Sequence, residues 1–301
     1  MRYYMKPTIG FIGLGTMGLP MAERLRQSGF PLVVYNRTES RANEIVQQGA
    51  HKAKTCAEVG RTVDICITMV SDPRALEKIV FSQNGLDEGL STDKIHIDMS
   101  TVSPAIIERL LKHYSGKKIG FLHVPVLGSV PQATDGSLLL FVGGDRAVID
   151  RVREVLNVLG TQQWYFPEAT KATHLKLICN MFIASMSASL VQGLVFGVKV
   201  GIPPSTLLDV LSHSSLNAPM YQTKGRSITQ RQFTPARFCT EHLLKDINLA
   251  LDAGKNAGVS LQALEPIREL YTAATSMGFG REDYSAVVKV LETMAGVKVT
   301  E

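Results

Sequence analysis

The stretch Ile9-Gly10-Phe11-Ile12-Gly13-Leu14-Gly15-Thr16-Met17-Gly18 decides how the first half of this 301-residue chain is read. An apolar strand, Ile9 to Ile12, runs straight into a turn with glycine at positions 13, 15 and 18. The first glycine of such a turn permits the tight bend, and the second lets backbone N–H groups approach a pyrophosphate. The third packs a new helix against the strand. A helix opening near Gly18 points its positive end at the phosphates. Gly13, Leu14, Gly15, Thr16, Met17 and Gly18 are therefore expected to hold a dinucleotide.

Working outward, the next apolar run ends in Val33-Val34-Tyr35-Asn36-Arg37-Thr38, with no carboxylate before Glu39. An enzyme selecting NAD usually offers an acidic side chain there to the adenosine ribose, whereas an arginine accommodates a 2′-phosphate. A guanidinium fork matches phosphate geometry. Asn36, Arg37 and Thr38 thus point to NADP(H) as the preferred coenzyme, with NAD(H) possible. The alternative is that Arg37 is a solvated residue opening the next helix. Met69 and Val70, at the end of a third apolar run from Val63, are expected to line the same site.

Composition sets the frame. A chain of this length can form two domains, and 45% hydrophobic residues suffice for ordinary cores. The net charge of +5 is mild and the basic residues are scattered, so no nucleic-acid partner is implied. Cys56, Cys66, Cys179 and Cys239 lie far apart without a CxxC pair, which argues against a disulfide framework or a metal site. Reduced thiols fit a cytoplasmic protein. Met1 to Pro7 lacks an apolar core and reads as neither a secretory nor a transit leader. Leu177 to Val198 carries no charge, yet Asn180, Gln192, its serines and its close flanking by Lys176 and Lys199 favour a buried helix over a membrane span.

Strand and helix signals alternate to about residue 166: Val63–Val70, Lys94–Met99, a helix from Pro104 to about His113, Gly120–Val126, Leu138–Val142, a helix over Asp145–Leu159 and a short strand Trp164–Phe166. Such alternation implies a mostly parallel, doubly wound sheet of Rossmann type. Beyond Pro167 the strand signal stops. A long helix over Lys171–Val200 precedes helical stretches at Pro203–His213, Thr240–Ala257, Leu264–Met277 and Asp283–Ala295. The expected architecture is an α/β coenzyme domain over residues 1–168 and an all-α domain over 169–301 for substrate and oligomerisation, joined by a long interdomain helix.

A dinucleotide domain implies hydride transfer, which needs a nearby acid/base. Lys176 opens the long helix, and Asn180 follows one turn later on the same face. From spacing alone Lys176 is as readily a solvated helix-start lysine as a catalyst, and Asn180 could satisfy a buried carbonyl.

With these residues in view, the chain resembles the β-hydroxyacid dehydrogenases over essentially its whole length. The resemblance rests on Gly10 to Gly18 with Pro20-Met21, on Asp98-Met99-Ser100-Thr101 with Pro104, on Lys176 with Asn180, and on Leu244-Lys245-Asp246 with Leu249-Ala250. It implies that Thr101 contacts the coenzyme, that Lys176 and Asn180 are catalytic, and that Lys245 closes over coenzyme and active site. It also implies dimers or tetramers built through the helical domain. Bland readings stand beside these: Thr101 could cap the next helix with Ser103, and Lys245 could pair with Glu241.

The substrate loop departs from the family pattern. His123-Val124-Pro125-Val126-Leu127-Gly128-Ser129 stands where the family usually reads Asp, Ala or Pro, Pro, Val, Ser, Gly, Gly. Leu127 replaces the serine that binds the substrate carboxylate, leaving Gly128, Ser129, Ser100 and Asn180 as the expected substrate contacts. His123 reads as structural rather than catalytic. Thr170 and Ala172 replace glycines that usually precede the lysine. The expected reaction is reversible hydride transfer between NADP(H) and a small 3-hydroxy acid or the matching semialdehyde, with Lys176 as general acid/base. Burial and nearby positive charge, including Lys245, are expected to ease loss of its proton. An imine reductase-like enzyme and a non-catalytic NADPH-binding sensor are the competing readings; both are expected to lack the lysine.

Overall fold

The computed structural model describes residues 6–301, so the reading of Met1–Pro7 falls largely outside the described residues. The first of two compact units ends at Lys176 and the second is Leu177–Glu301. In the first, strands β1 (Ile9–Ile12), β2 (Leu32–Tyr35), β3 (His51–Lys52), β4 (Ile65–Thr68), β5 (Ile95–Asp98), β6 (Gly120–His123), β7 (Val126–Leu127), β8 (Leu139–Gly144) and β9 (Gln162–Phe166) form one sheet. Its order is β3-β2-β1-β4-β5-β6-β8-β7, with β9 on β8. Pairings from β3 through to β6 are parallel, whereas β8 runs antiparallel to both β6 and β7. Strand order reverses between β1 and β4, the place where open α/β sheets leave a crevice for ligands.

The two-residue period of each strand sorts its side chains to opposite faces. Ile9, Phe11, Val34, Ile65 and Ile67 pack with α1 (Gly18–Gln27) and with Ile149, Val152 and Leu156 further on. Ile12, Val33 and Cys66 face the other way, against Val59, Leu76, Ile107 and Leu110. Fully burying each of these side chains contributes about 1.5–3 kcal/mol. The covering helices are α2 (Asn43–Gln47), α3 (Cys56–Thr62), α4 (Pro73–Phe81), α5 (Pro104–Ser115), α6 (Val130–Asp135) and α7 (Arg146–Leu159). Their starts follow local chemistry: the Asp72 carboxylate accepts from Ala75 N–H ahead of Pro73, and Thr55 Oγ1 accepts from Glu58 N–H.

Two details differ from the sequence reading. The expected strand Gly120–Val126 is split, because Pro125 has no N–H to extend the ladder. Val124 N–H still reaches the Asp98 carbonyl, while the Pro125 carbonyl accepts from Phe141 N–H and hands the chain to β8. The connection before β8 contains α6, stopped by Gly136 at φ 77°.

Helix α8 (Ala169–Lys199) runs from the first unit into the second. It is long and apolar enough to cross a bilayer by length and composition alone. In the second unit Leu177, Ala184, Val191 and Leu194 pack into the helical core. Ile178, Phe182 and Phe196 remain exposed at 46%, 57% and 69%. The second unit continues with α9 (Pro204–Ser212), α10 (Pro219–Thr229), α11 (Thr240–Asn256), α12 (Leu264–Ala274) and α13 (Val288–Ala295). The sequence reading did not anticipate α10. Gly225 lies inside it because a Cβ there would come within 2.4 Å of Leu208 on α9.

Candidate active site

The glycine turn is shaped by what surrounds it. Gly13 has φ 101°, and a Cβ on it would lie 2.2 Å from the Met69 carbonyl oxygen, so the end of β4 leaves no room for a side chain. A Cβ on Gly18 would meet the Gly13 carbonyl at 1.9 Å, which fixes the close helix–strand approach. Gly15 is different: nothing lies within 4 Å of its Cβ position, and no side chain caps α1 at Met17. An open glycine before an uncapped helix N-terminus fits a pyrophosphate. The expected residues Met69 and Val70 form the wall behind this turn. Asn36 acts on the protein: its Oδ1 accepts from Leu14 N–H at 2.8 Å and its Nδ2 donates to the Thr38 carbonyl, pinning the turn to the end of β2. A cleft of about 500 Å³ beside Leu14, Gly15 and Thr16 extends to Arg41 and Glu44.

At the end of β2, Arg37 and Thr38 are exposed. Glu39, the first carboxylate beyond the strand, is engaged by Lys52 at 2.6 Å, and that bond holds its carboxyl below the ordinary range. The carboxylate that could answer a ribose is thus occupied by a lysine.

The end of β5 is organised around one buried carboxylate. Asp98 Oδ1 accepts from the hydroxyls of Thr68 at 2.7 Å and Ser100 at 2.8 Å, and Val70 N–H donates to Ser100 Oγ at 2.9 Å. Because Thr68 spends its proton on Asp98, His96 Nε2 at 2.9 Å must donate to Thr68, and His96 Nδ1 accepts from Tyr114 at 3.1 Å. The chain of donors is satisfied only with His96 neutral. Burial, partly opposed by Asp98, pushes its pKa down to about 4. Burial would raise the Asp98 carboxyl, but His123 and the Thr68 hydroxyl outweigh it and hold it low. Ser100, expected to touch substrate, is fully buried with its hydroxyl committed on both sides, so it supports the strand end instead.

A stability consequence follows from the sign of the His96 shift. A histidine neutral in the fold but protonated when unfolded contributes stability that is complete above its ordinary pKa of 6.5 and lost as pH falls toward about 4. The loss over that window is on the order of 3 kcal/mol. Thermal unfolding followed between pH 7 and pH 4 should show this slope, and His96→Asn should remove that part of it.

The loop after β6 carries the remaining substrate candidates. Leu127 is half-buried in β7 opposite Leu139, Gly128 is exposed with φ 141°, and Ser129 starts α6. Ser129 and Gln132 form a capping box: the Ser129 side chain takes the Gln132 backbone N–H, and Ser129 N–H donates to Gln132 Oε1 at 2.9 Å, with the hydroxyl 3.4 Å from the same oxygen. Thr101 is half-buried. Ser103 starts α5 without a capping side-chain bond of its own.

On α8, Lys176 is 8% exposed and Asn180 is 1% exposed one turn on. Ala169 and Ala172 at its start pack where a Cβ on Gly143 would meet Ala169 Cα at 2.7 Å, so small residues are required there. Asn180 Nδ2 donates at 2.6 Å to Asp246 Oδ2, and Lys245 Nζ lies 2.7 Å from Asp246 Oδ1. The carboxylate dictates the amide orientation and leaves Asn180 Oδ1 as a buried acceptor with no hydrogen-bond partner among the described residues. Asn180 therefore presents its Oδ1 as an acceptor, while one of its two amide N–H groups is committed to Asp246. Lys245 pairs with Asp246, its neighbour in sequence. Asp246, part of the Leu244-Lys245-Asp246 motif, is the residue that joins Asn180 and Lys245. Its signal was the helical period, which puts it on the buried face of α11 with Leu243, Ile247 and Ala250.

Cys239, Glu241 and His242 bring possible ligand atoms within 4.8 Å of one another, a grouping the cysteine spacing did not reveal. They occupy the first turn of α11, whose dipole opposes a cation.

Comparison with known proteins places the chain in a family. Residues 8–173 match the NAD binding domain of 6-phosphogluconate dehydrogenase, and residues 170–291 match the NAD-binding of NADP-dependent 3-hydroxyisobutyrate dehydrogenase. Glyoxylate/succinic semialdehyde reductase 1 of Arabidopsis thaliana is 36% identical over 284 residues, covering 94% of this chain and 98% of that protein. Reductase 2 of the same plant, chloroplastic, is 35% identical over 95% of this chain and 79% of its own length. Among solved structures, 3-hydroxyisobutyrate dehydrogenase of Mycobacterium tuberculosis with L-serine superposes with a TM-score of 0.85 at 25% identity, covering 95% of this chain and 99% of that one. The chain belongs to the β-hydroxyacid dehydrogenase family. It is an NAD(P)-dependent oxidoreductase acting on CH–OH groups.

Proposed function

We propose that the enzyme interconverts a small semialdehyde, or glyoxylate, and the corresponding hydroxy acid, with NADP(H) preferred over NAD(H). The observation that carries the chemistry is the buried Lys176 placed one turn ahead of Asn180, whose amide is locked by Asp246. The names of the two plant reductases support the substrate class. When bound, the nicotinamide supplies or accepts the hydride.

The chain's own residues do the rest. Lys176 Nζ–H gives a proton to the carbonyl oxygen as negative charge develops on it, and takes the proton back in oxidation. Asn180 Oδ1 accepts from an ammonium or hydroxyl and so aligns the groups between which the proton moves. Gly128 N–H and the Ser129 hydroxyl, whose proton the capping box leaves available to donate, orient the substrate carboxylate, and Leu127 narrows that end toward small acids. Leu14, Gly15, Thr16, Met17 and Gly18 receive the pyrophosphate, Thr101 and Lys245 hold further parts of the coenzyme, and Arg37 receives a 2′-phosphate. The exposed Ile178, Phe182 and Phe196 support a homodimer or homotetramer assembled through the helical unit.

A charge-assisted hydrogen bond contributes about 1.5–3 kcal/mol, so Arg37→Ala should lower the NADP to NAD preference by about ten- to a hundredfold. Comparing kcat/KM with both coenzymes on glyoxylate and succinic semialdehyde tests the reading. An unchanged ratio refutes the role of Arg37, and no turnover with either aldehyde refutes the substrate class.

A further inference from the structure

We propose that His123 is a positioning residue for substrate: through Asp98 it clamps the Val124–Ser129 segment to the strand end that carries Ser100 and Thr101. Four observations lead there. His123 is the last residue of β6 and is 1% exposed, while its neighbour in register, Asp98, is fully buried at the end of β5. His123 Nδ1 lies 3.1 Å from Asp98 Oδ2, an ion-pair distance without the geometry of a straight hydrogen bond. The other oxygen of the same carboxylate holds Thr68 and Ser100, so one group joins the ends of β4, β5 and β6. The backbone of the next residue repeats the tie, since Val124 N–H donates to the Asp98 carbonyl at 2.7 Å.

Immediately beyond this tie the ladder to β5 ends, because Pro125 cannot donate, and the chain crosses to β8. The segment bearing Leu127, Gly128 and Ser129 therefore departs from a fixed point whose side-chain half is His123. The titratable groups around the pair are His96, Cys66 and Tyr114 on β5, β4 and α5, all buried. The inference rests on the reading of Gly128 and Ser129 as substrate contacts.

The test uses the full-length enzyme with His123→Val, which removes the contact, and His123→Gln, which keeps a side-chain donor. Amide exchange is followed by mass spectrometry alongside steady-state kinetics. In His123→Val, exchange over residues 124–129 should rise about tenfold while β1 and β4 keep their protection. KM for the aldehyde should rise about tenfold, with kcat within about threefold and NADPH affinity unchanged. His123→Gln should restore both to within about threefold of wild type. A uniform rise in exchange across the sheet, unchanged exchange at 124–129, or equal losses in kcat and NADPH affinity would each overturn the proposal. If the wild type reduces neither glyoxylate nor succinic semialdehyde, the substrate reading fails, and the exchange pattern alone decides the clamp.

Discussion

Lys176→Ala is expected to lower kcat by about 10²–10⁴ while NADPH still binds, because a positioned acid/base contributes that much to rate. The size of the effect follows from the surroundings. Lys176 is buried on α8, where bulk water cannot readily take over proton delivery, and α8 continues through Asn180, whose buried Oδ1 the Asp246 bond leaves available as an acceptor. An alanine leaves the helix intact, since alanine is the best helix former, so stability should change little. Stopped-flow NADPH binding and single-turnover reduction measured on the same variant separate the two contributions. Turnover within tenfold of wild type would mean that Lys176 only packs. A loss of coenzyme affinity equal to the loss in kcat would mean that it serves binding rather than the chemical step.

The sequence made the first half of the fold legible because the central strands β1, β2, β4 and β5 are short and apolar and each is followed by a helix. The Gly13-x-Gly15-x-x-Gly18 spacing even placed the ligand end of the sheet. Less was legible where structure depends on partners distant in the chain. Helix α10 carries a glycine that looks like a breaker until Leu208 is seen against it. The break after β6 depends on a single missing N–H at Pro125. In the candidate site, residue types were easier to find than their commitments. Ser100 reads as an available hydroxyl until Asp98 and Val70 are found to use it. Asn36 reads as a coenzyme contact, and the fold adds that its Oδ1 also holds Leu14 N–H. Asp246 is the converse case: adjacent to a lysine with an assigned role, it had none until the fold brought Asn180 to it across 66 residues of chain.

The three glycines of the turn make the sharpest contrast, because the structure assigns them different duties. Gly15→Ala should leave the protein as stable as wild type, within about 0.5 kcal/mol, since nothing lies within 4 Å of the new Cβ. Coenzyme affinity should nevertheless fall by about ten- to a hundredfold, or roughly 1.4–2.7 kcal/mol, because the methyl group occupies the space through which the pyrophosphate reaches backbone N–H groups. Gly13→Ala should do the reverse first. Its backbone sits at φ 101°, and its Cβ would press to 2.2 Å on the Met69 carbonyl, a rigid group on the neighbouring strand. The strain and the displaced strand end should cost about 2–4 kcal/mol of stability even without coenzyme. Calorimetric melting of the coenzyme-free proteins and NADPH titration of each provide the check. Equal destabilisation by both substitutions would show that the turn is a fold element throughout, and undiminished NADPH binding by Gly15→Ala would remove the pyrophosphate from this turn. The expected split, stability lost at Gly13 and affinity lost at Gly15, follows from one difference: the protein fills the space beside Gly13 and leaves the space beside Gly15 to the ligand.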